Sequence, residues 1–272
     1  MFEVGSGLFY IAIALAVSAV AIVCCWAVLR YTRLSPPFDF GAVDALIGIV
    51  YGILLAILVL FASQHYTSAI NDSNDEATAL NEMYKAAGAL PAAQGVKLRH
   101  DIVCYARETI DLEWPILRKS QGNGSDVVFA RTRQLGGIVQ TAAQNEPTNL
   151  TISDLFNAYL ERGTARQLML EDSRPQLPSP LWFVVLLGIG IVVFLLSLRY
   201  WENPAHLVAA LVASLLLLLS MVGAIAELDR PFASIIGLQP RAIEATLTSV
   251  VQSSAGAQSA LRPCTPPPGV HG

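Results

Sequence analysis

The stretch Ala42–Ser63, AVDALIGIVYGILLAILVLFAS, decides the fold, and it runs on through Gln64, His65 and Tyr66 to Asp72, Asp75 and Glu76. Its apolar part is about 20 residues long, the length a helix needs to cross about 30 Å of hydrocarbon. No proline or glycine lies between Ser63 and Glu76. One long helix is therefore expected to leave the membrane and enter a polar domain.

Three further apolar runs surround this one: Leu8–Leu29, Leu181–Leu198 and Ala205–Ala226. Arg30, Tyr31, Arg33 and the turn Ser35-Pro36-Pro37 separate the first two runs. Arg199-Tyr200-Trp201-Glu202-Asn203-Pro204 separates the last two. Prolines end helices, so both segments read as short re-entry loops. Trp26, Tyr31, Trp182, Tyr200 and Trp201 cluster at run ends, where interfacial aromatic belts sit. The leader Met1–Gly7 has no Lys or Arg and the first run exceeds a signal-peptide core of ~7–15 residues, so it reads as a retained transmembrane helix.

Composition agrees. The chain is 54% hydrophobic and 14% charged, against about 25% charged for a soluble domain. Mean hydropathy is +0.52. The formal net charge of −4 gives no reason to expect a nucleic-acid partner. The expected fold class is all-α: a four-helix transmembrane protein (2+2) with a helical extramembrane bundle inserted between the second and third spans. The expected divisions are 1–63, 64–179, 180–227 and 228–272.

Within 64–179, Ala77, Leu80, Tyr84 and Ala87 repeat at helical spacing, and Pro91 and Gly95 break that helix. Leu98, Ile102, Tyr105, Thr109, Leu112 and Ile116 form a second stripe. Gly122-Asn123-Gly124 makes a turn, and Val128, Leu135, Ile138 and Ala142 mark a third helix. Thr151 with Asp154 resembles a capping box opening a fourth helix that fades before Pro175. A short helix over about Pro240–Val251 precedes a Pro-rich tail read as disordered.

Four crossings put both termini and the inserted domain on one side. Arg30, Arg33 and Arg199 lie in the short loops, so the positive-inside rule puts those loops in the cytoplasm of an inner-membrane protein and the domain outside. Arg162, Arg166, Arg174 and Arg230 flank the membrane on the domain side and oppose that reading.

Chemistry-bearing constellations are sparse. The runs hold almost no ionisable residue, which argues against a proton-coupled carrier. Asp44 is either a helix N-terminal charge favoured by the dipole or a pore-mouth charge. Gly48, Gly52 and Ala56 form a small-residue ridge for packing within the subunit, for a subunit contact, or for a pore helix. Tyr51 and Phe61 are bulky enough to constrict a pore. His100, Cys104 and Glu108 share one helix side, but no second cluster completes a metal site, so a polar bundle face is expected and no metal or other cofactor. No catalytic signature appears, and an enzyme is not expected. Cys24 and Cys25 read as apolar membrane residues. Cys104 and Cys264 share a side and can pair only where it is oxidising, and the Pro-rich tail weighs against it.

The chain resembles a family of bacterial membrane proteins with a bestrophin-like domain. The resemblance rests on Tyr51-Gly52-Ile53-Leu54-Leu55-Ala56, Glu76-Ala77, Ala89-Leu90-Pro91, Tyr105-Ala106-Arg107, Glu113-Trp114-Pro115, Leu177-Pro178 before Leu181-Trp182, and Leu228-Asp229-Arg230-Pro231-Phe232. Bestrophins themselves are pentameric anion channels with two helices, a helical insert and two helices, the second of which lines the pore. The resemblance thus implies a homo-oligomer in the lipid bilayer that conducts small anions along Asp44–Ser63. It also implies a cytoplasmic insert, opposite to the loop charges. The alternative is a membrane-anchored interaction or sensory module acting through its helical domain.

Overall fold

The computed structural model describes residues 7–32, 42–120, 122–146, 148–233, 237–252, 262–265 and 267. The expected loop at 33–37 lies outside them, as does the side chain of Asp44. Every regular element among the described residues is helical: α1 (Gly7–Thr32), α2 (Ala42–Ala86), α3 (Ala92–Glu108), α4 (Trp114–Ser120), α5 (Asp126–Asn145), α6 (Leu150–Asp172), α7 (Ser179–Tyr200), α8 (Pro204–Leu228) and α9 (Arg241–Gln252). Among them α1, α2, α7 and α8 are long and apolar enough to cross a membrane.

The chain divides into two compact units. The first holds α1, α2 as far as Tyr66, α7 and α8; the second holds α2 from Thr67, α3 to α6 and α9. α2 is unbroken throughout, as its lack of breakers predicts.

In the apolar unit, Ala14 and Ala21 of α1 pack with Tyr51, Leu55, Leu58 and Ala62 of α2, Val185, Ile189 and Val193 of α7, and Val222 and Ile225 of α8. Small residues bring backbones close, since lipid supplies no hydrophobic drive between helices. Gly188 is the clearest case: a Cβ there would collide with the edge of the Tyr51 ring. Tyr10 stacks on Trp182 with ring centres 3.8 Å apart. Asp229, just past α8, is buried and accepts hydrogen bonds from the backbone N–H groups of Gln176 (3.0 Å) and Leu177 (2.9 Å), fixing the entry to α7.

The second unit is a helical bundle. Leu80, Met83 and Tyr84 of α2 meet Leu98, Ile102 and Tyr105 of α3, Val128, Leu135 and Val139 of α5, and Ile152 and Leu155 of α6. The stripe read from α3 holds through Thr109 and then slips. Residues Thr109–Glu113 form a π-helical turn closed by a bond from the Trp114 N–H to the Thr109 carbonyl. Pro115 lacks an N–H and its ring would strike the carbonyl four residues back, so widening the turn relieves the clash. The extra residue rotates the chain: Leu112 is 42% exposed, and Glu113, Trp114 and Leu117 turn inward instead.

Three local expectations are corrected. Gly95 sits inside α3, where its missing Cβ lets the Ala87 carbonyl approach. Asn149, not Thr151, caps α6 and accepts from the Thr151 N–H at 3.1 Å. The tail is not free at 262–265, because Cys264 forms a disulfide with Cys104 and the Thr265 carbonyl accepts from Arg131 at 2.6 Å. Proline composition describes a segment's own preference and is blind to a crosslink.

Candidate functional site

The membrane stretch of α2 presents two faces. Tyr51 and Leu55 point into the unit and are buried; the Tyr51 hydroxyl donates to the Val185 carbonyl at 2.7 Å. Gly48, Gly52 and Ala56 are exposed, and a Cβ added at either glycine meets nothing within 4 Å. Beside them Ile49, Ile53, Ile57, Leu60 and Phe61 are exposed as well. Grooves of about 520 and 510 Å³ flank the helix. The first runs along Leu46, Val50 and Leu54 opposite Leu187 and Ile191. The second runs along Gly48, Gly52 and Ala56 opposite Leu217 and Met221.

In the helical unit, charged residues converge at the foot of the π turn. Glu113 is fully buried, accepts from Arg166 at 2.5 and 3.2 Å, and takes the Ser125 N–H at 3.3 Å. Glu76 of α2 is also fully buried and accepts from the Tyr105 hydroxyl, while its Oε2 has no partner among the described residues. Arg162 lies over the rings of Tyr105 (4.8 Å) and Tyr159 (5.2 Å), and donates to Thr132 Oγ1 at 3.3 Å. Two carboxyls and two guanidiniums thus share one dry centre. Burial pushes the Glu76 carboxyl up to about 7, against the opposing pull of the Tyr105 hydroxyl and the Arg162 charge. Gly124 makes room: a Cβ there would lie 2.7 Å from Glu113 Oε1 and 2.9 Å from the Phe129 ring.

Nearby groups extend this pattern. Asp72 of α2 and Asp172 of α6 are neighbours, and burial raises both carboxyls. For Asp72, burial first and then the Asp172 carboxyl push it up to about 6. Trp114 donates from Nε1 to the Leu238 carbonyl at 2.8 Å and meets Phe232 edge-on at 5.4 Å. Pro231 is buried and Pro115 exposed.

A Bestrophin-like domain model matches residues 15–243. The chain belongs to the Bestrophin-like domain family. Among solved structures, a point variant of a bacterial bestrophin homologue from Klebsiella pneumoniae has a similar fold, with TM-score 0.66 at 14% identity over 92% of this chain and 99% of that one. Two further structures of bacterial bestrophin homologues from Klebsiella pneumoniae give TM-scores of 0.64 and 0.60 at 14% identity, each over 94% of this chain and 99% of that one. No curated protein matches.

The geometry gathers the sequence-derived residues of this bestrophin-like chain into separate places. Gly48, Gly52 and Ala56 lie on the open face of α2, and Tyr51 and Leu55 on its packed face. Glu76 and Glu113 meet in the charged centre, Trp114 meets Phe232, and Asp229 caps the turn into α7. Sequence reading missed Arg162 and Arg166, which it assigned to the membrane flank. Both are buried inside the bundle, Arg166 paired with Glu113 and Arg162 lying over the Tyr105 and Tyr159 rings. Their spacing of four residues, on the face that carries Leu155, Ala158 and Met169, is the signal that places them inward.

Proposed function

We propose that this chain is one subunit of a homo-oligomeric anion channel of the inner membrane, with α2 beside the pore and the helical unit on the extracytoplasmic side. The observation that carries the reading is the open ridge of Gly48, Gly52 and Ala56. A Cβ added at Gly48 or Gly52 meets nothing within 4 Å, and a small-residue ridge in a lipid-facing helix is a surface for another helix. The exposed Ile49, Ile53, Ile57 and Phe61 beside it supply an apolar lining of the kind that gates by dewetting. The likeness to bacterial bestrophin homologues supports a channel, because bestrophins conduct anions as rings.

Two observations support the orientation. A disulfide between Cys104 and Cys264 belongs in an oxidising compartment. Arg162 and Arg166 are consumed inside the bundle, so they no longer weigh against Arg30, Arg33 and Arg199 in the positive-inside balance.

The purified protein reconstituted in liposomes should pass chloride, and its native mass in detergent should be that of a closed ring. Tight vesicles, or a monomer or dimer by mass, would overturn the proposal. Engineered cysteines on exposed α5 and α6 positions should label from outside intact cells.

A further inference from the structure

The face of α3 that carries His100, Cys104 and Glu108 has a use that the channel reading leaves unassigned. Glu108 holds Arg131 of α5 at 2.6 and 3.0 Å, and Arg131 also reaches Asp101 (3.4 Å) and Gln134 (3.3 Å). Each of the Arg131 nitrogens therefore already has a side-chain partner. Among the described residues, 262–265 offers Arg131 the Thr265 carbonyl at 2.6 Å, with Pro267 buried just beyond it. One backbone hydrogen bond is too little to hold a chain segment against its conformational entropy. The segment 262–265 is held by the Cys104–Cys264 bond.

The two sulfurs are not equivalent. Cys104 is fully buried, whereas Cys264 is half-buried at the surface. His100 Nε2 lies 3.6 Å from Cys104 Sγ. An incoming thiolate therefore reaches Cys264, and the departing sulfur, Cys104, has an imidazole beside it to take up its charge.

We propose that Cys104–Cys264 is a thiol–disulfide exchange site whose co-substrate is a dithiol, and that reduction there releases the 262–265 strap from α3 and α5. One thiolate of the dithiol attacks Cys264 Sγ. The Cys104–Cys264 bond breaks, and its electron pair stays on Cys104 Sγ, which is protonated from the His100 side. The second thiol of the dithiol then attacks its own mixed-disulfide sulfur and expels Cys264 as a thiolate, which takes a proton from solvent. The dithiol leaves as a disulfide, having given two electrons and two protons to the cysteine pair.

The proposal rests on the extracytoplasmic reading, because the bond must form before it can be exchanged. The test uses the full chain in detergent, with Cys24 and Cys25 replaced by serine so that only the pair reports. Dithiothreitol is the probe, and a mass-adding maleimide counts thiols without denaturation. Protein quenched in acid from cells should show no free thiol at 104 or 264. Native reduction should add the first tag at Cys264 and speed amide exchange at 262–265 to the rate seen in a Cys264→Ser variant. His100→Gln should keep the bond and slow its native reduction, on the order of tenfold. Two free thiols in cells would overturn both this proposal and the oxidising-side reading. A bond that forms in cells but yields only after denaturation, or that reduces equally fast in His100→Gln, would overturn the exchange site alone.

Discussion

Replacing Glu76 with Gln should remove most of one specific pH dependence of the helical unit. Glu76 is fully buried, and burial raises its carboxyl from 4.5 to about 7. In the unfolded chain the group returns to its ordinary value. The folded state therefore binds the proton more tightly. The stabilisation is complete below about 4.5, fades as pH rises through the window from 4.5 to 7, and is gone above it. At 1.36 kcal/mol per pKa unit, the loss across the window is about 3 kcal/mol. Gln has the same shape, still accepts from the Tyr105 hydroxyl, and does not titrate. Other buried carboxyls, Asp72 and Asp101 among them, are raised by burial too, but they are common to both proteins and cancel in the difference. Thermal unfolding in detergent, followed by tryptophan fluorescence, reads the effect; Trp114 is the buried reporter in this unit. Between pH 5 and pH 8 the variant should gain roughly 6–12 °C on the parent. Equal midpoint differences at both pH values would refute the assignment of a raised carboxyl to Glu76.

Gly124→Ala should destabilise the helical unit by about 1–3 kcal/mol in a denaturant titration, because the new methyl presses on Glu113 and Phe129. Gly137→Ala, whose Cβ meets nothing, should not. Gly52→Leu should leave the melting of the single chain nearly unchanged yet abolish the closed ring in native mass and the liposome flux. Tyr51→Phe should cost about 0.5–1.5 kcal/mol through the lost bond to the Val185 carbonyl, with ring assembly intact.

The apolar runs were legible because lipid imposes length and polarity on every spanning residue, and α2 could be followed past Ser63 because nothing in it breaks a helix. The bundle's helices were legible where one face repeats: Leu80 with Tyr84, and Leu98 with Ile102 and Tyr105. The π turn was not, since periodicity assumes a constant turn. The cue lay in Pro115, which cannot donate to Asp111. The charged centre was hidden for a different reason. Glu76, Glu113, Arg162 and Arg166 look like surface residues until the fold brings opposite signs together from three separate segments. The resemblance motifs included Glu76 and Glu113 but carried no reason for them. The crosslink at Cys264 was opaque because pairing depends on where the backbone brings two cysteines, not on their neighbours in the chain.

The Glu113–Arg166 pair also constrains how this protein can change over generations. With Glu113 held by Arg166, losing either partner alone strands a charge in a dry interior. Losing an oppositely charged pair together strands nothing, and apolar replacements of similar volume are often neutral. Substitution routes through these positions should therefore run in linked steps, with Glu113→Gln tolerated poorly alone and far better beside Arg166→Met. Among relatives, the identity of the residue at one of these sites should be readable from the identity at its mate.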